Sequence, residues 1–183
     1  MIEISYAAGL ITVTLGWILF RAVMYRKTKR FDFKYELRQI FFLINLLVIA
    51  RFVFYPFSKV DGQVQPLLFE PDKVFPLRVN LVPLVNILEF DTVKDLILNL
   101  TGNFAMFIPT GVMVPLIYKK FNTFGKVTLF GFLMSLTIEI LQLPFAVRAS
   151  DVDDLILNTA GCMVGYGIYA LVRWIACQIK KHL

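Results

Sequence analysis

The chain has 183 residues, of which 58% are hydrophobic and 17% charged, and a formal net charge of +6. A water-soluble domain of this length has too little interior to hide so much apolar surface, so the composition excludes one and points to an integral membrane protein. The positive charge does not argue for a nucleic-acid partner, because the cations fall where membrane topology and anionic lipid head groups would place them.

Apolar runs of roughly 18 or more residues, the length a helix needs to cross about 30 Å of hydrocarbon, occur five times. In chain order they cover approximately 3–25, 38–57, 95–118, 124–147 and 152–177. The first has no basic residue before Arg21 and no small-residue cleavage site after it, so it reads as a retained span rather than a signal peptide. Arg26, Lys27, Lys29, Arg30, Lys34 and Arg38 lie between the first two runs. Lys119, Lys120 and Lys126 lie between the third and fourth, and Lys180 and Lys181 close the chain. The opposite connections carry Asp61, Glu70, Asp72, Glu89 and Asp91, and then Asp151, Asp153 and Asp154. Cations are retained on the cytoplasmic side. The reading is therefore an all-α integral membrane protein of five transmembrane helices, N-terminus outside and C-terminus inside, with a long extracellular loop after helix 2. It divides into an N-terminal transmembrane pair with a cytoplasmic basic loop (1–74), an outer loop with three transmembrane helices (75–177) and a cytoplasmic tail (178–183).

Within the spans, polar residues recur at similar depths. Counted from the outer ends at about 1.5 Å per residue, Arg51, Asn103, Glu139 and Asn158 all fall roughly 9–12 Å below the outer surface. Helical periodicity places Asp151, Asp154, Asn158, Gly161 and Gly165 within a wedge of about 80°, with Asp153 nearly opposite. Asp153, three residues after Ser150, reads with it as a helix N-cap and a carboxylate suited to the dipole. Gly161-x-x-x-Gly165 is the spacing that lets two membrane helices approach closely, so the polar face should point into the bundle. Ser135, Glu139 and Gln142 share a face of span four; Asn99, Asn103 and Thr110 share one on span three.

Two readings of these groups are open. Interhelical hydrogen-bond glue, worth about 1 kcal/mol a pair, accounts for Asn99, Asn103, Gln142 and Asn158 taken singly. Glu139 asks for more: buried and charged it costs a few kcal/mol or more, so it is either protonated or paired, and intramembrane ionisable residues usually mark function. Arg51 fits either a snorkelling or a functional role. Arg148 with Asp151 also fits a simple loop salt bridge. Cys162 and Cys177 lie about four turns apart on one helix, too far to bridge. There is no Cys/His metal spacing, the single His182 is in the tail, and the sequence names no cofactor.

The polar elements Asn80-Leu-Val-Pro83, Gly102-Asn103, Phe107-Ile-Pro109, Gly111, Glu139 with Gln142, and Arg148, Asp151, Asp154, Asn158 and Gly161 resemble, in order and spacing, the pattern of the VanZ-like membrane proteins. The resemblance covers about residues 76–172 and would make 75–177 a VanZ-like domain in a multi-pass protein of the bacterial cell membrane. It implies a link to glycopeptide (teicoplanin-type) resistance. It also carries over Asn103, Glu139, Gln142, Arg148, Asp151, Asp154 and Asn158 as the candidate catalytic residues. A wider similarity, to membrane enzymes that exchange lipid head groups, implies a lipid head-group transferase or hydrolase. The partners it implies are membrane lipids or a lipid-linked cell-wall precursor.

Physical chemistry suggests roles for these residues in an outward-facing polar cavity. Arg148 at the mouth suits an anionic phosphate or pyrophosphate head group through two-toothed hydrogen bonds. Glu139, steadied by Gln142 and Asn103, suits a general acid or base. Asp151 and Asp154 suit the orientation of Arg148, and less well a divalent cation, since two carboxylates one turn apart are a weak metal signal. Pro56 just before the 58–94 connection, and Pro66, Pro71, Pro76 and Pro83 within it, exclude a continuous helix. Its apolar part between Phe75 and Leu88 reads equally as a lid over the cavity or as a loop docked on the bundle. The alternative to a lipid-directed site is a non-catalytic envelope protein or partner subunit that alters antibiotic access, its polar residues acting as glue.

Overall fold

A computed structural model describes residues 2–29, 31–55, 59–60, 62–75, 79–83, 92–145 and 150–181. Five helices dominate it: α1 (Tyr6–Thr28), α2 (Phe33–Phe54), α3 (Val93–Ile117), α4 (Phe124–Gln142) and α5 (Val152–Lys181). Each is long and apolar enough to cross a membrane. Their starts and stops follow local chemistry. The side chains of Ser5, Asp32 and Thr92 accept hydrogen bonds from backbone N–H groups in the first turns of α1, α2 and α3. Lys29 closes α1 in the left-handed conformation, φ 49°, with its N–H on the Tyr25 carbonyl. α4 stops at Gln142, short of the expected end near 147, because Pro144 follows and the residue before a proline is steered away from helical geometry. Large apolar side chains point outward, Leu19 at 67% exposed and Trp174 at 61% among them, a surface that hydrocarbon solvates and water does not.

The chain forms two compact units interleaved in sequence: Met1–Leu81 with Ile138–Asp151, and Val82–Thr137 with Val152–Leu183. In the first unit α1 and α2 are clasped at both ends. Toward their short connection, Arg21 pairs with Glu36 and lies 5.1 Å over the Tyr35 ring, whose hydroxyl takes a 2.9 Å hydrogen bond from Gln39. At the other end, Tyr55 sets its ring edge-on to Tyr6 and donates its hydroxyl to the Ser5 carbonyl at 3.1 Å. Gly9 makes the room, since a Cβ there would lie 2.1 Å from the Tyr55 oxygen.

The segment after α2 is a set of short β ladders. β1 (Ile2–Ile4) pairs antiparallel with β4 (Leu67–Phe69), β2 (Lys59–Val60) with β3 (Gln63–Val64) in a hairpin, and β5 (Val79–Asn80) pairs parallel with β6 (Ser150–Asp151). Gly62, φ +75°, supplies the left-handed residue of the hairpin turn. The Glu70 N–H bonds the Pro144 carbonyl at 2.8 Å, and Phe145 packs edge-on to Phe69 and Phe54. The described part of the connection between α2 and α3 is thus docked by backbone hydrogen bonds. Residues 84–91, part of the stretch that read equally as a lid, lie outside the described residues.

In the second unit, α3, α5 and the first part of α4 pack around Phe107, Val114, Val127 and Cys162, all without solvent exposure. The contact of α3 with α5 is backbone against backbone. A Cβ on Gly161 would stand 2.0 Å from the Phe104 carbonyl oxygen, one on Gly165 2.1 Å from that of Ile108, and one on Gly111 2.0 Å from that of Cys162. The close approach anticipated from Gly161-x-x-x-Gly165 is therefore present, with Gly111 as its counterpart on α3.

Candidate functional site

Each unit holds a polar cluster of its own. In the first, Glu139 lies one turn before the end of α4 and is 4% exposed. A carboxylate so placed faces the negative end of its own helix dipole and needs donors from elsewhere. β6 supplies them. The Asp151 N–H donates to Glu139 Oε2 at 3.0 Å, and the Ser150 hydroxyl bonds the same carboxylate. β6 is itself fixed by β5, where Val79 and Asn80 lie opposite Ser150 and Asp151, and Asn80 Nδ2 donates to Asp151 Oδ1 at 3.3 Å. Gln142, on the next turn of α4, donates Nε2 to the Val53 carbonyl at 2.9 Å. It too is 4% exposed, and its Oε1 has no hydrogen-bond partner.

In the second unit, Asn103 of α3 donates its amide to the Asp154 carboxylate of α5. One turn further along α5, Asn158 donates Nδ2 to Ser135 Oγ of α4 at 2.9 Å. Asn158 is 1% exposed and its Oδ1 is left without a partner. These bonds link the helices of the unit pairwise through their buried faces.

The structure therefore brings Glu139 together with Asp151, and Asn103 with Asp154, and gives Gln142 and Asn158 one buried partner each. Arg148, expected at the mouth of a cavity, lies outside the described residues. Among the described residues no three His, Cys, Asp or Glu side chains gather where one ion could sit.

Two expectations change. Ser150 is not an N-cap: it pairs in β6 and its hydroxyl serves Glu139, while α5 begins at Val152. Asp153 is buried in the first turn of α5, where the helix dipole favours a carboxylate. The distances from the observed helix ends also differ from those counted along the apolar runs. Measured along its own helix at about 1.5 Å per residue, Glu139 lies roughly 5 Å from the end of α4 and Arg51 roughly 5 Å from the end of α2. Asn158 lies about 9 Å into α5 and Asn103 about 15 Å into α3. Along their own helices the four residues thus stand at different distances from the helix ends.

For two residues named from the sequence, the structure supplies the partners. Asn80 was visible as the first residue of Asn80-Leu-Val-Pro83, yet nothing local tied it to Asp151, 71 positions away. Arg51, left open between snorkelling and function, has its guanidinium 5.6 Å over the Tyr6 ring and 5.7 Å over that of Phe52, and Nη1 on the Tyr55 carbonyl at 3.2 Å.

Comparison with known proteins agrees with the membrane architecture. The VanZ/LLP1 family model matches residues 42–173, well over half of the chain. Protein VanZ of Enterococcus faecium is 37% identical over 78 residues, which covers 39% of this chain and 48% of that protein. The chain thus spans about half the length of the curated relative it matches. No solved structure matches it. The match takes in α3 and α4 whole, parts of α2 and α5, and the polar residues of both clusters, and this multi-pass bacterial membrane protein belongs to the VanZ/LLP1 family.

Proposed function

We propose that this chain contributes to teicoplanin-type glycopeptide resistance by holding the polar head of a membrane lipid, or of a lipid-linked envelope intermediate, at its outer face. The observation that carries the reading is Glu139. It is a buried carboxylate near the end of α4, oriented by the Asp151 N–H and the Ser150 hydroxyl, and no cation pairs with it among the described residues. A group kept at such cost and held in one orientation is what a head-group site needs. In this reading Arg148 supplies the cation for the phosphate part of the head group, and the N-terminus lies outside, so that the ends of α2 and α4 face the outer leaflet. These residues bind; no covalent step is assigned to them.

The second reading, interhelical glue, is favoured for the other cluster by its own bonds. Asn103 with Asp154 and Asn158 with Ser135 close on each other inside the second unit, as structural polar pairs in membranes do.

The test is protection of a susceptible host against teicoplanin at matched membrane abundance. Glu139→Gln and Arg148→Ala are expected to lose protection while folding normally. Protection at the level of the unaltered chain in both variants would sink the head-group reading.

A further inference from the structure

The atoms around Glu139 also say what kind of group the site takes. Glu139 and Gln142 are three residues apart, hence on one face of α4, and both are 4% exposed. Glu139 presents a carboxylate whose partners among the described residues are both neutral, the Asp151 N–H and the Ser150 hydroxyl. Gln142 spends its only donor group on the Val53 carbonyl, which fixes the amide orientation and leaves Oε1 as a buried acceptor with no partner. An unmet buried acceptor costs free energy of the order of a lost hydrogen bond, and an unpaired buried carboxylate costs more. Both deficits are of one kind: each asks for a donor, and the carboxylate asks for positive charge.

Position narrows the class. With α4 ending at Gln142, the two acceptors lie within one turn of the helix end, which in the head-group reading above stands among the head groups rather than the acyl chains. A phosphate offers acceptors only and would be repelled here. A quaternary ammonium carries the charge but has no N–H to give.

We propose that Glu139 and Gln142 form the seat for a protonated primary amine, the ammonium end of a zwitterionic aminophospholipid such as one with an ethanolamine head. The proposal rests on the head-group reading above and divides the ligand between two places: the ammonium against Glu139 and Gln142, and the phosphate elsewhere in the site.

The full chain, reconstituted in phosphatidylcholine nanodiscs, is titrated with a fluorescently tailed phosphatidylethanolamine, its N-acetylated derivative, phosphatidylglycerol and diacylglycerol, and retention is read by native mass spectrometry. The ethanolamine lipid should be retained about tenfold or more over its N-acetylated form, the scale of a charge-assisted hydrogen bond. Glu139→Gln should abolish that preference, and Gln142→Leu, which removes the unmet acceptor, should lower it. Thermal melting of each variant shows that it is folded, and a variant that is not is replaced by Glu139→Met or Gln142→Met. Equal retention of the ethanolamine lipid and its N-acetylated form would overturn the ammonium seat while leaving a head-group site standing. Retention of no head-group lipid above diacylglycerol would overturn both. Water-soluble glycerophosphoethanolamine binding as tightly as the lipid would keep the seat but move its source from the membrane to a soluble amine.

Discussion

The α3–α5 contact can be tested at single-atom resolution through Gly161. A Cβ at this position would lie 2.0 Å from the Phe104 carbonyl oxygen and 3.3 Å from the Phe107 Cβ, whereas ordinary contact begins at 3.4 Å. The obstacle is backbone, which no rotamer change can clear, so Gly161→Ala must push the helices apart locally by about 1.4 Å (3.4 − 2.0). Overpacking of this kind costs about 1–3 kcal/mol. It outweighs the roughly 0.5–1 kcal/mol that alanine gains over glycine inside a helix. Gly165→Ala and Gly111→Ala meet carbonyl oxygens at the same range and should cost as much singly. Because all three sit on one seam, Gly161→Ala with Gly165→Ala should cost less than the sum, the helices having already separated. Gly167→Ala, with nothing within 4 Å of its Cβ, is the control and should be neutral or stabilising. Reversible unfolding in mixed detergent micelles measures all of these. A Gly161→Ala protein as stable as Gly167→Ala would refute the close-packed α3–α5 register.

Orientation is tested on a Cys177→Ser background with an impermeant thiol reagent in intact cells: Asp72→Cys, exposed in the outer connection, should be labelled and Thr123→Cys protected, and the reverse would invert the topology. The Arg21–Glu36 pair is mostly buried, so Arg21→Met should destabilise by leaving Glu36 unmatched, while Arg21→Met with Glu36→Met should recover most of the loss in the same unfolding assay. Burial, and then the nearby Tyr6, hold the Tyr55 hydroxyl pKa above its ordinary 10.0. The raised folded value means that its contribution to stability is complete below about pH 10 and is lost as pH rises through that value. Tyr55→Phe should therefore melt lower at neutral pH, having lost the Ser5 bond, and its deficit should shrink above about pH 10.

The five spans were legible because hydrocarbon thickness and helix rise fix a length that composition alone reveals. The glycine seam was legible because a four-residue spacing is a property of one helix. The place of Glu139 relative to the end of its helix was not. An apolar run does not show where hydrogen bonding stops, and the run Leu141-Gln142-Leu143-Pro144-Phe145 reads as span although the helix ends at Gln142. The partners of Glu139 were out of reach for another reason. Ser150 and Asp151 are positioned by pairing with Val79 and Asn80, a two-residue parallel ladder set by tertiary packing and too short to leave a periodic signal. Ser150 followed by Asp153 does carry a helix-start pattern, which is why the same residues read as a cap.

Stability separates the two readings of the polar groups, because they predict opposite signs. Asn158 is a fully buried amide bonded to Ser135, so Asn158→Ala leaves the serine hydroxyl without its donor and opens a void, at about 1–3 kcal/mol. Glu139 differs in that its two donors need only an acceptor, and a glutamine carbonyl supplies one with two lone pairs. Glu139→Gln therefore keeps the hydrogen bonds with β6 and removes a charge that sits buried against the negative end of α4. Its stability should hold or rise by up to about 1 kcal/mol, while head-group retention and teicoplanin protection fall. That combination is the mark of a residue kept for function at the expense of the fold. Should Glu139→Gln unfold as easily as Asn158→Ala at equal detergent concentration, Glu139 is glue like the asparagine, and the ends of α2 and α4 lose their claim to a binding site.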